Sequence, residues 1–322
     1  MKRRVFTSAL CAGSLWAGRP GAQSLPGISS NHSRIVVTFA AGGPTDLVAR
    51  LLAQPLSDRL GQQVIVENKP GAAGNIGALE VSRASPDGQT MVLVAPTIAV
   101  NPSLYPNAVD PTKDLSAVSQ LVSLQYVLVA SRRMGASDLR GFIERASLKG
   151  KPLSYASWGN GSHAHLCGAL LSQMLGADMI HVAYKGSAPA MQDVIGGQVD
   201  FMFDSAATAV PQVRAGTVRA IAVSSNKALD ALPSVPTLSS RVPGFDVTGW
   251  QGLMAPARTP PSQLSRWQES IRAILQDGEV RARLAAIGLV PVASSPADFA
   301  LFLRSEQEKY AALIRTNNIK AD

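Results

Sequence analysis

The chain has 322 residues, of which 46% are hydrophobic and 16% are charged. This composition is typical of a globular protein and argues against intrinsic disorder. The length exceeds what one hydrophobic core usually fills, so we expect two domains. The formal net charge is +8, but the basic residues lack the interleaved aromatic side chains of a base-stacking surface, which argues against nucleic-acid binding.

The first 22 residues have the pattern of a secretory signal peptide. Basic residues come first, a mostly apolar stretch follows, and small residues precede a cleavage site near Ala22. The apolar stretch is too short to span a bilayer. We therefore expect an exported, soluble protein that uses the general secretory route rather than the twin-arginine route. Cys11 lies within the signal, so Cys167 is alone in the mature chain and is expected to be a small buried apolar residue.

Apolar segments of strand length alternate with amphipathic segments of helix length through most of the chain. This order predicts an α/β fold with mostly parallel sheets flanked by helices. The predicted strands are 34–39, 64–67, 90–95, 117–122, 126–131, 153–157, 179–182, 199–203 and 218–224. The predicted helices are 45–60, 77–84, 139–147, 164–175, 188–196, 207–215, 262–276, 279–287 and 296–317. Pro55 predicts a kink or an early end of the first helix, because an interior proline costs about 3 kcal/mol.

The domain organisation follows from the segment 229–261. Its six prolines and weak periodicity predict a long irregular connection. A return crossing near 247–253 would let the last three helices pack on the first domain. We therefore predict a discontinuous first domain, 34–124 plus 246–322, an inserted second domain, 125–245, and a hinge of two strands.

Two glycine-rich turns each join an apolar strand to the start of a helix. The first contains Gly42 and Gly43 and leads into Thr45 and Asp46, and the second, 157–163, reads Ser-Trp-Gly-Asn-Gly-Ser-His. Each turn directs backbone N–H groups and the positive end of a helix toward one point, which suits an oxygen-rich anion. Two such turns predict a two-sided clamp.

Several side chains near the turns have two interpretations. Asp46 either caps a helix, which contributes about 1 kcal/mol, or binds a ligand amine or water. Asp204, at the end of an apolar strand, has the same two interpretations. Trp158 either packs at the hinge or stacks on a ligand ring. Thr97 follows a strand and is placed to donate its hydroxyl to the cleft, whereas His163 is expected to matter chiefly through its backbone.

An exported serine hydrolase is the competing class of protein. Ser157, Ser162, His163, His165 and Asp204 supply the residue types of a catalytic triad. However, the sequence has no Gly-x-Ser-x-Gly elbow, and the neighbours Ser162 and His163 would diverge around a helix. We therefore expect no catalytic residues.

Cofactor and metal sites find little support. Residues 159–164 match a Gly-x-Gly-x-x-Ala fingerprint, but the next strand ends at 181–184 without the acid that would hold a ribose. His163 and His165 point to different sides of a helix, and no cluster of ligands completes a metal shell. His165 and His181 are expected to be hydrogen-bonded within the fold. We expect neither a cofactor nor a metal.

Longer motifs surround the two turns and cover almost the whole mature chain. They include Phe39-x-x-Gly42-Gly43-x-x-Asp46, Val66-Glu67-Asn68-Lys69-Pro70-Gly71-Ala72, Asn101-Pro102-Ser103-Leu104-Tyr105, Tyr155-Ala156-Ser157-x-Gly159-Asn160-Gly161-Ser162 and Gly197-Gln198-Val199-Asp200-x-Met202-Phe203-Asp204. With these motifs the chain resembles the Bug family, the extracytoplasmic solute receptors of tripartite tricarboxylate transporters.

The resemblance implies a two-lobed periplasmic binding protein of type II-like fold that closes like a Venus flytrap. Its ligand would be a small carboxylate, such as a di- or tricarboxylate, an amino acid or an aromatic acid, held by the two turns and bridging waters. Its partners would be the membrane subunits of a transporter, unless it is an orphan receptor. A sensory receptor with a membrane signalling partner is an alternative. We expect a monomer.

The ligand-binding residues predicted from the turns and the resemblance are Gly42, Gly43, Thr45, Asp46, Thr97, Ser157, Trp158, Gly159, Gly161, Ser162, His163 and Asp204. Two features depart from the family pattern. Ala40 and Ala41 stand where proline is usual, and Trp158 replaces a residue that is usually small. The second departure counts against a standard tricarboxylate ligand.

Overall fold

The computed structural model describes residues 32–39, 41–184, 186–316 and 319–320. The predicted signal peptide, 1–22, and Ala40 of the first glycine turn lie outside the described residues. Among the residues described, no helix is both long enough and apolar enough to cross a membrane.

Strands and helices alternate along most of the described chain, which confirms the α/β class. The strands are β1 (His32–Val37), β2 (Gln63–Asn68), β3 (Thr90–Val94), β4 (Leu115–Ala130), β5 (Leu153–Ser157), β6 (Met179–Ala183), β7 (Phe201–Ser205), β8 (Arg219–Val223), β9 (Thr248–Pro256) and β10 (Leu289–Pro291). The helices are α1 (Pro44–Leu60), α2 (Asn75–Ser82), α3 (Thr97–Leu104), α4 (Leu139–Ala146), α5 (His163–Leu175), α6 (Ser187–Gly196), α7 (Ala206–Arg214), α8 (Pro261–Gln276), α9 (Gly278–Ala286) and α10 (Pro296–Thr316).

The strands form a mixed sheet in the order β2-β1-β3-β9-β4-β7-β5-β6, and β8 and β10 also pair with β4. Pairing is parallel between β1 and both β2 and β3, and between β5 and both β6 and β7. The pairs that involve β4 or β9 are antiparallel. The two parallel groups therefore lie on either side of a central antiparallel region.

The long strand β4 corrects the sequence prediction of two separate strands at 117–122 and 126–131. Residues 115–125 of β4 pair with β9, whereas residues 126–130 pair with β7 and β8. The intervening Ser123, Leu124 and Gln125 are only partly buried but continue the strand, since they still pair with β9, and the partners change at Tyr126. We call β1, β2, β3, β9, β10 and residues 115–125 of β4 the first half-sheet. The second half-sheet consists of β5, β6, β7, β8 and residues 126–130 of β4.

Helices cover both faces of each half-sheet. In the first, Ile35 packs in one apolar cluster with Trp267 and Ile271 of α8, and Val94 packs in another with Phe299 of α10. The second half-sheet has equivalent clusters, one with α4 and α5 and one with α6 and α7. The closing helices α8 and α10 thus return to the half-sheet that contains β1.

Three local predictions differ from the structure. The helix α1 continues through Pro55 to Leu60, as the predicted range 45–60 has it, so of the two alternatives at Pro55 the early end is wrong. The helix α3 follows β3 directly and was not predicted. The strand β9 lies at the crossing predicted near 247–253, but it extends to Pro256 within the segment expected to be irregular.

Candidate functional site

The first glycine turn is fixed by the carboxylate of Asp46. Gly42 has a left-handed backbone, with φ of 82°, and Gly43 is the residue before the helix α1. The Asp46 Oδ2 accepts hydrogen bonds from the Gly42 N–H at 2.9 Å and from the Arg50 Nε at 2.9 Å, and its Oδ1 accepts from the Asn68 Nδ2 at 2.9 Å. Asp46 therefore supports the turn from inside the first helical turn rather than from the N-cap position.

The charge of Asp46 follows from these contacts. The Arg50 hydrogen bond, with those from the Gly42 N–H and the Asn68 amide, outweighs burial and lowers the pKa of the carboxyl from 3.8 to about 2. Asp46 is only 2% exposed, and Thr45 beside it is also buried. Both carboxylate oxygens of Asp46 already have protein partners.

The second glycine turn connects β5 to α5. Gly159 and Gly161 have φ of 125° and 69°, conformations that glycine adopts without a Cβ clash. The Ser162 hydroxyl caps α5 by accepting from the His165 N–H at 3.4 Å. The Ser157 hydroxyl lies 3.2 Å from the Gly159 N–H and 3.0 Å from the Gly159 carbonyl. Side chains at both ends of the turn therefore hold its backbone.

Two stacked histidines lie beneath this turn. The rings of His165 and His181 are 3.7 Å apart and nearly parallel. The His165 Nδ1 accepts from the Gly161 N–H at 3.1 Å, and the His181 Nε2 lies 2.6 Å from the Ser157 Oγ. The prediction that both histidines are hydrogen-bonded within the fold is confirmed. One consequence is that the Gly161 N–H, expected to face a ligand, already has a partner.

His163 joins the second turn to the last helix. Its ring stacks on Tyr126 with centroids 4.8 Å apart, and its Nε2 lies 3.3 Å from the hydroxyl of Tyr310 in α10. Burial, with the nearby charge of Lys309, lowers the pKa of His163 to about 3, so the ring is neutral at pH 7. The His163 Nδ1 is buried and has no hydrogen-bond partner among the described residues. The ring of His163 thus has a packing role that the sequence did not indicate.

A pocket of about 170 Å³ opens between the two half-sheets at the second turn. Its lining consists of Phe39, Ala73, Thr97, Asn101, Leu104, Tyr105, Trp158, Asn160, Gly161 and Ser162. One wall is α3 with Ala73 and Phe39, and the other is the second turn. The walls are in close contact, because a Cβ added to Gly161 would lie 2.8 Å from the Leu104 Cδ1.

The pocket brings together Thr97, Trp158, Gly161 and Ser162 of the predicted ligand-binding residues. The other eight are not among its lining residues: Gly42, Gly43, Thr45, Asp46, Ser157, Gly159, His163 and Asp204. Of these, Ser157 and Gly159 shape the turn that carries the lining residues. A wider groove of about 930 Å³, lined in part by α7 and residues 225–231, contains none of the predicted site residues.

Asp204 is buried at the carboxyl end of β7. Its Oδ1 accepts from the Ser187 hydroxyl and the Ser205 N–H, both at 2.9 Å, near the starts of α6 and α7. Its Oδ2 is buried without a hydrogen-bond partner in the part of the chain that the structure describes. Burial raises the pKa of the Asp204 carboxyl.

Six lining residues were not predicted: Phe39, Ala73, Asn101, Leu104, Tyr105 and Asn160. Five of them lie at fixed positions of the long motifs that surround the turns, and that clustering is the sequence signal available for them. Ala73 has no such signal. Its φ of 51° is unusual for alanine, and the Asn101 Nδ2 donates to its carbonyl at 3.2 Å. This strained turn places Ala73 against the pocket.

A family model described as the tripartite tricarboxylate transporter family receptor matches residues 48–319. The chain belongs to this family. A curated UPF0065 protein of Agrobacterium vitis is 36% identical over 298 residues, which cover 91% of this chain and 86% of the relative. The family consists of receptors, so the prediction of a binding protein and not an enzyme is confirmed.

Solved structures agree with this family and with the periplasmic binding protein fold. The periplasmic binding protein BugD is 34% identical with a TM-score of 0.75, over 90% of this chain and 98% of its own. MatC of Rhodopseudomonas palustris, with bound malate, is 32% identical with a TM-score of 0.74, over 88% and 98%. An R. palustris protein with adipate is 29% identical with a TM-score of 0.79, over 91% and 99%.

Proposed function

We propose that this protein is a periplasmic receptor that closes on a small carboxylate and delivers it to the membrane subunits of a tripartite tricarboxylate transporter. The pocket between α3 and the second glycine turn carries the proposal. Thr97 stands on one wall, and Gly161 and Ser162 stand on the other at the start of α5. A carboxylate there would meet a helix N-terminus, where N–H groups and the helix dipole favour negative charge.

Backbone N–H groups, the hydroxyls of Thr97 and Ser162 and bridging waters would together supply the affinity, because the N–H groups of Gly161 and Ser162 already donate within the turn. A charge-assisted hydrogen bond contributes about 1.5–3 kcal/mol. Three or four such bonds give roughly micromolar binding once the cost of ordering the two partners is subtracted. Side chains of the first turn, chiefly Asp46, would then contribute by stabilising the conformation of that turn and would not contact the ligand. Gly161 would act through its left-handed backbone and missing Cβ, since its N–H is bound to His165.

The domain division remains part of the proposal. Lobes of 34–124 plus 246–322 and of 125–245 agree with the change of partners in β4, where Gln125 pairs with Thr248 and Tyr126 pairs with Ser205. Apolar clusters centred on each half-sheet also support two lobes, which meet where Leu166 of α5 packs in the cluster that contains Phe299 of α10. Closed lobes would then hold the two pocket walls in contact around the ligand, and opened lobes would release it.

The Gly161→Ala variant tests this site against a matched control. A Cβ at Gly161 meets Leu104 in the opposite wall, whereas a Cβ at Gly176, which has a similar φ of 59°, has nothing within 4 Å. In both variants an alanine must adopt the left-handed backbone conformation, which lowers stability by about 1–2 kcal/mol. We expect Gly161→Ala alone to lose at least tenfold in affinity for a stabilising carboxylate, measured by calorimetry. Equal affinities in the two variants would contradict the site.

Transport and sensing need a cellular experiment. Native purification followed by mass spectrometry identifies the acid that accompanies the protein. Deleting the gene should then abolish uptake of that labelled acid by the host cell. Unchanged uptake with a lost transcriptional response would favour a sensory receptor instead.

The hydrolase alternative rests on one contact, the 2.6 Å distance between the Ser157 Oγ and the His181 Nε2. Ser157 has no exposed surface, however, and its hydroxyl is bound to the turn. A nucleophile must reach its substrate. Labelling of this serine by a fluorophosphonate probe would favour the hydrolase.

A further inference from the structure

We infer that the ligand of this pocket is a monocarboxylate with an aromatic ring as its body, rather than a polycarboxylate. The inference rests on the proposed receptor function and specifies its substrate class. Two features of the lining carry it: its aromatic content and the absence of charged side chains among its described residues.

Aromatic side chains are concentrated in the pocket. Three of the ten lining residues, Phe39, Tyr105 and Trp158, are aromatic, whereas aromatic residues make up 5% of the chain. They come from both walls, with Phe39 and Tyr105 on one side and Trp158 on the other. Aromatic rings favour offset stacking or edge contacts with another ring over contact with a hydrated carboxylate.

The Trp158 ring is held in place before any ligand binds. It is partly buried among apolar residues of the second half-sheet, and its centroid lies 6.0 Å from that of Tyr126. Because packing fixes this ring, a stacked ligand would not pay the cost of ordering it. Trp158 therefore both packs at the junction and faces the pocket, so its two interpretations are compatible.

The pocket lining has no Lys, Arg, Asp or Glu side chain among its described residues. The start of α5 can compensate one carboxylate, but a second carboxylate would be removed from water without a cation beside it. Burying an unpaired charge is costly. Arg50, near the first turn, is already hydrogen-bonded to Asp46 and Asn68. A single negative charge on the ligand matches this lining best.

Each wall of the pocket carries both polar and apolar groups. Thr97 and Asn101 lie on α3 with Leu104, and Trp158 is in the same turn as Asn160, Gly161 and Ser162. A ligand with its carboxylate at the α5 N-terminus would therefore place its ring close to Trp158 and to the side chains of α3.

Calorimetry with matched acids tests the substrate class. Benzoate and cyclohexanecarboxylate have the same number of carbons and one carboxylate, but only benzoate has a flat π face. We expect benzoate to bind roughly tenfold tighter than cyclohexanecarboxylate, and tighter than malate, adipate or citrate. Equal binding of the two ring acids, or tighter binding of any polycarboxylate, would overturn the inference and leave the receptor function standing. Absence of binding by all five acids would overturn both.

Substitutions of Trp158 and Tyr105 test whether their aromatic rings cause the preference for benzoate. Trp158→Leu should weaken benzoate binding roughly tenfold while cyclohexanecarboxylate changes by no more than about twofold. Tyr105→Leu provides the same test at a residue farther from the Tyr126 packing, so a folding defect in the first variant does not decide the result. Ser103→Ala, an exposed change on α3, should leave both affinities unchanged. Equal losses for both acids in the two ring variants would contradict stacking.

Discussion

At the scale of single residues, the buried carboxylate of Asp46 organises the first glycine turn. It joins the Gly42 backbone, the Arg50 side chain and the Asn68 amide, which come from three different segments. The Arg50 side chain is 54% exposed, so solvent screens the ion pair and reduces its contribution. The Arg50 hydrogen bond therefore shares the stabilisation with the partly buried hydrogen bonds from the Gly42 N–H and the Asn68 amide.

We predict that Asp46→Asn lowers the free energy of unfolding by about 1–2 kcal/mol at neutral pH, because an amide cannot accept all three hydrogen bonds as a carboxylate does. The pKa of Asp46 falls from 3.8 to about 2 on folding, so its contribution is complete above about pH 4 and is lost as the pH falls toward 2. Urea unfolding of both proteins at several pH values measures this.

The matched control is Asp58→Asn on the exposed face of the same helix, where the carboxylate accepts from Gln54. This change should cost less than about 0.5 kcal/mol. A destabilisation by Asp46→Asn that stays constant down to pH 2 would show that the carboxylate charge does not stabilise the turn.

The sequence predicted the environment of some residues but not of others. The burial of Cys167 and the hydrogen bonds of His165 and His181 are confirmed, because a lone cysteine and histidines beside apolar strands follow simple packing rules. The partner of the Gly161 N–H was not predictable. It depends on a histidine ring four residues later that folds back over the turn, and composition does not encode that orientation.

At the scale of elements, β9 and α10 pack closely at Gly252, where a side chain on the strand would displace a side chain of the helix. A Cβ on Gly252 would overlap the ring of Phe299, which is fully buried in the cluster that contains Trp250. The Trp250 Nε1 also donates to the Glu306 Oε2 at 3.0 Å. The last helix is therefore fixed to the central strand by both packing and a buried hydrogen bond.

We predict that Gly252→Ala lowers the free energy of unfolding by about 1–3 kcal/mol, since the core must shift to accept one methyl group. Gly278→Ala is the control, because a Cβ at this first residue of α9 has nothing within 4 Å. Alanine there should leave stability within about 1 kcal/mol. Chemical denaturation compares the two variants, and equal stabilities would show that α10 does not pack tightly on β9.

Elements with a clear period were predicted within one to two residues. The strand β5 and the helix α5 are examples, because apolar side chains alternate in the first and recur at helical spacing in the second. The helix α3 lacks that contrast, since Ile98, Ala99 and Val100 are all buried and Pro102 lies within it. Consecutive burial removes the polar face that marks a helix.

At the scale of the whole molecule, β4 belongs to both half-sheets, and the pocket lies where their helices and turns meet. The sequence indicated a periplasmic binding protein through its motifs and its alternation of strands and helices, and the comparisons confirm that fold. It did not indicate that β4 is continuous. The polar Ser123 and Gln125 interrupt the apolar pattern of this strand, which is indistinguishable from a turn without the partner strands.

The proximity of the two pocket walls leads to a prediction about closure. A disulfide requires Cβ atoms about 3.5–4.5 Å apart, and a Cβ at Gly161 would lie 2.8 Å from the Leu104 Cδ1, which is two bonds beyond the Leu104 Cβ, so the two Cβ atoms are within the reach of one side chain. In a Leu104→Cys/Gly161→Cys variant, a stabilising carboxylate should therefore accelerate cross-linking under mild oxidation, because it favours the closed arrangement.

Cys167 does not compete, since it is fully buried and burial raises the pKa of its thiol. The Leu104→Cys/Gly176→Cys variant, with its second cysteine at the other end of α5, should not cross-link. Non-reducing electrophoresis follows the reaction with time. Equal rates with and without the acid would mean that the walls do not close on the ligand.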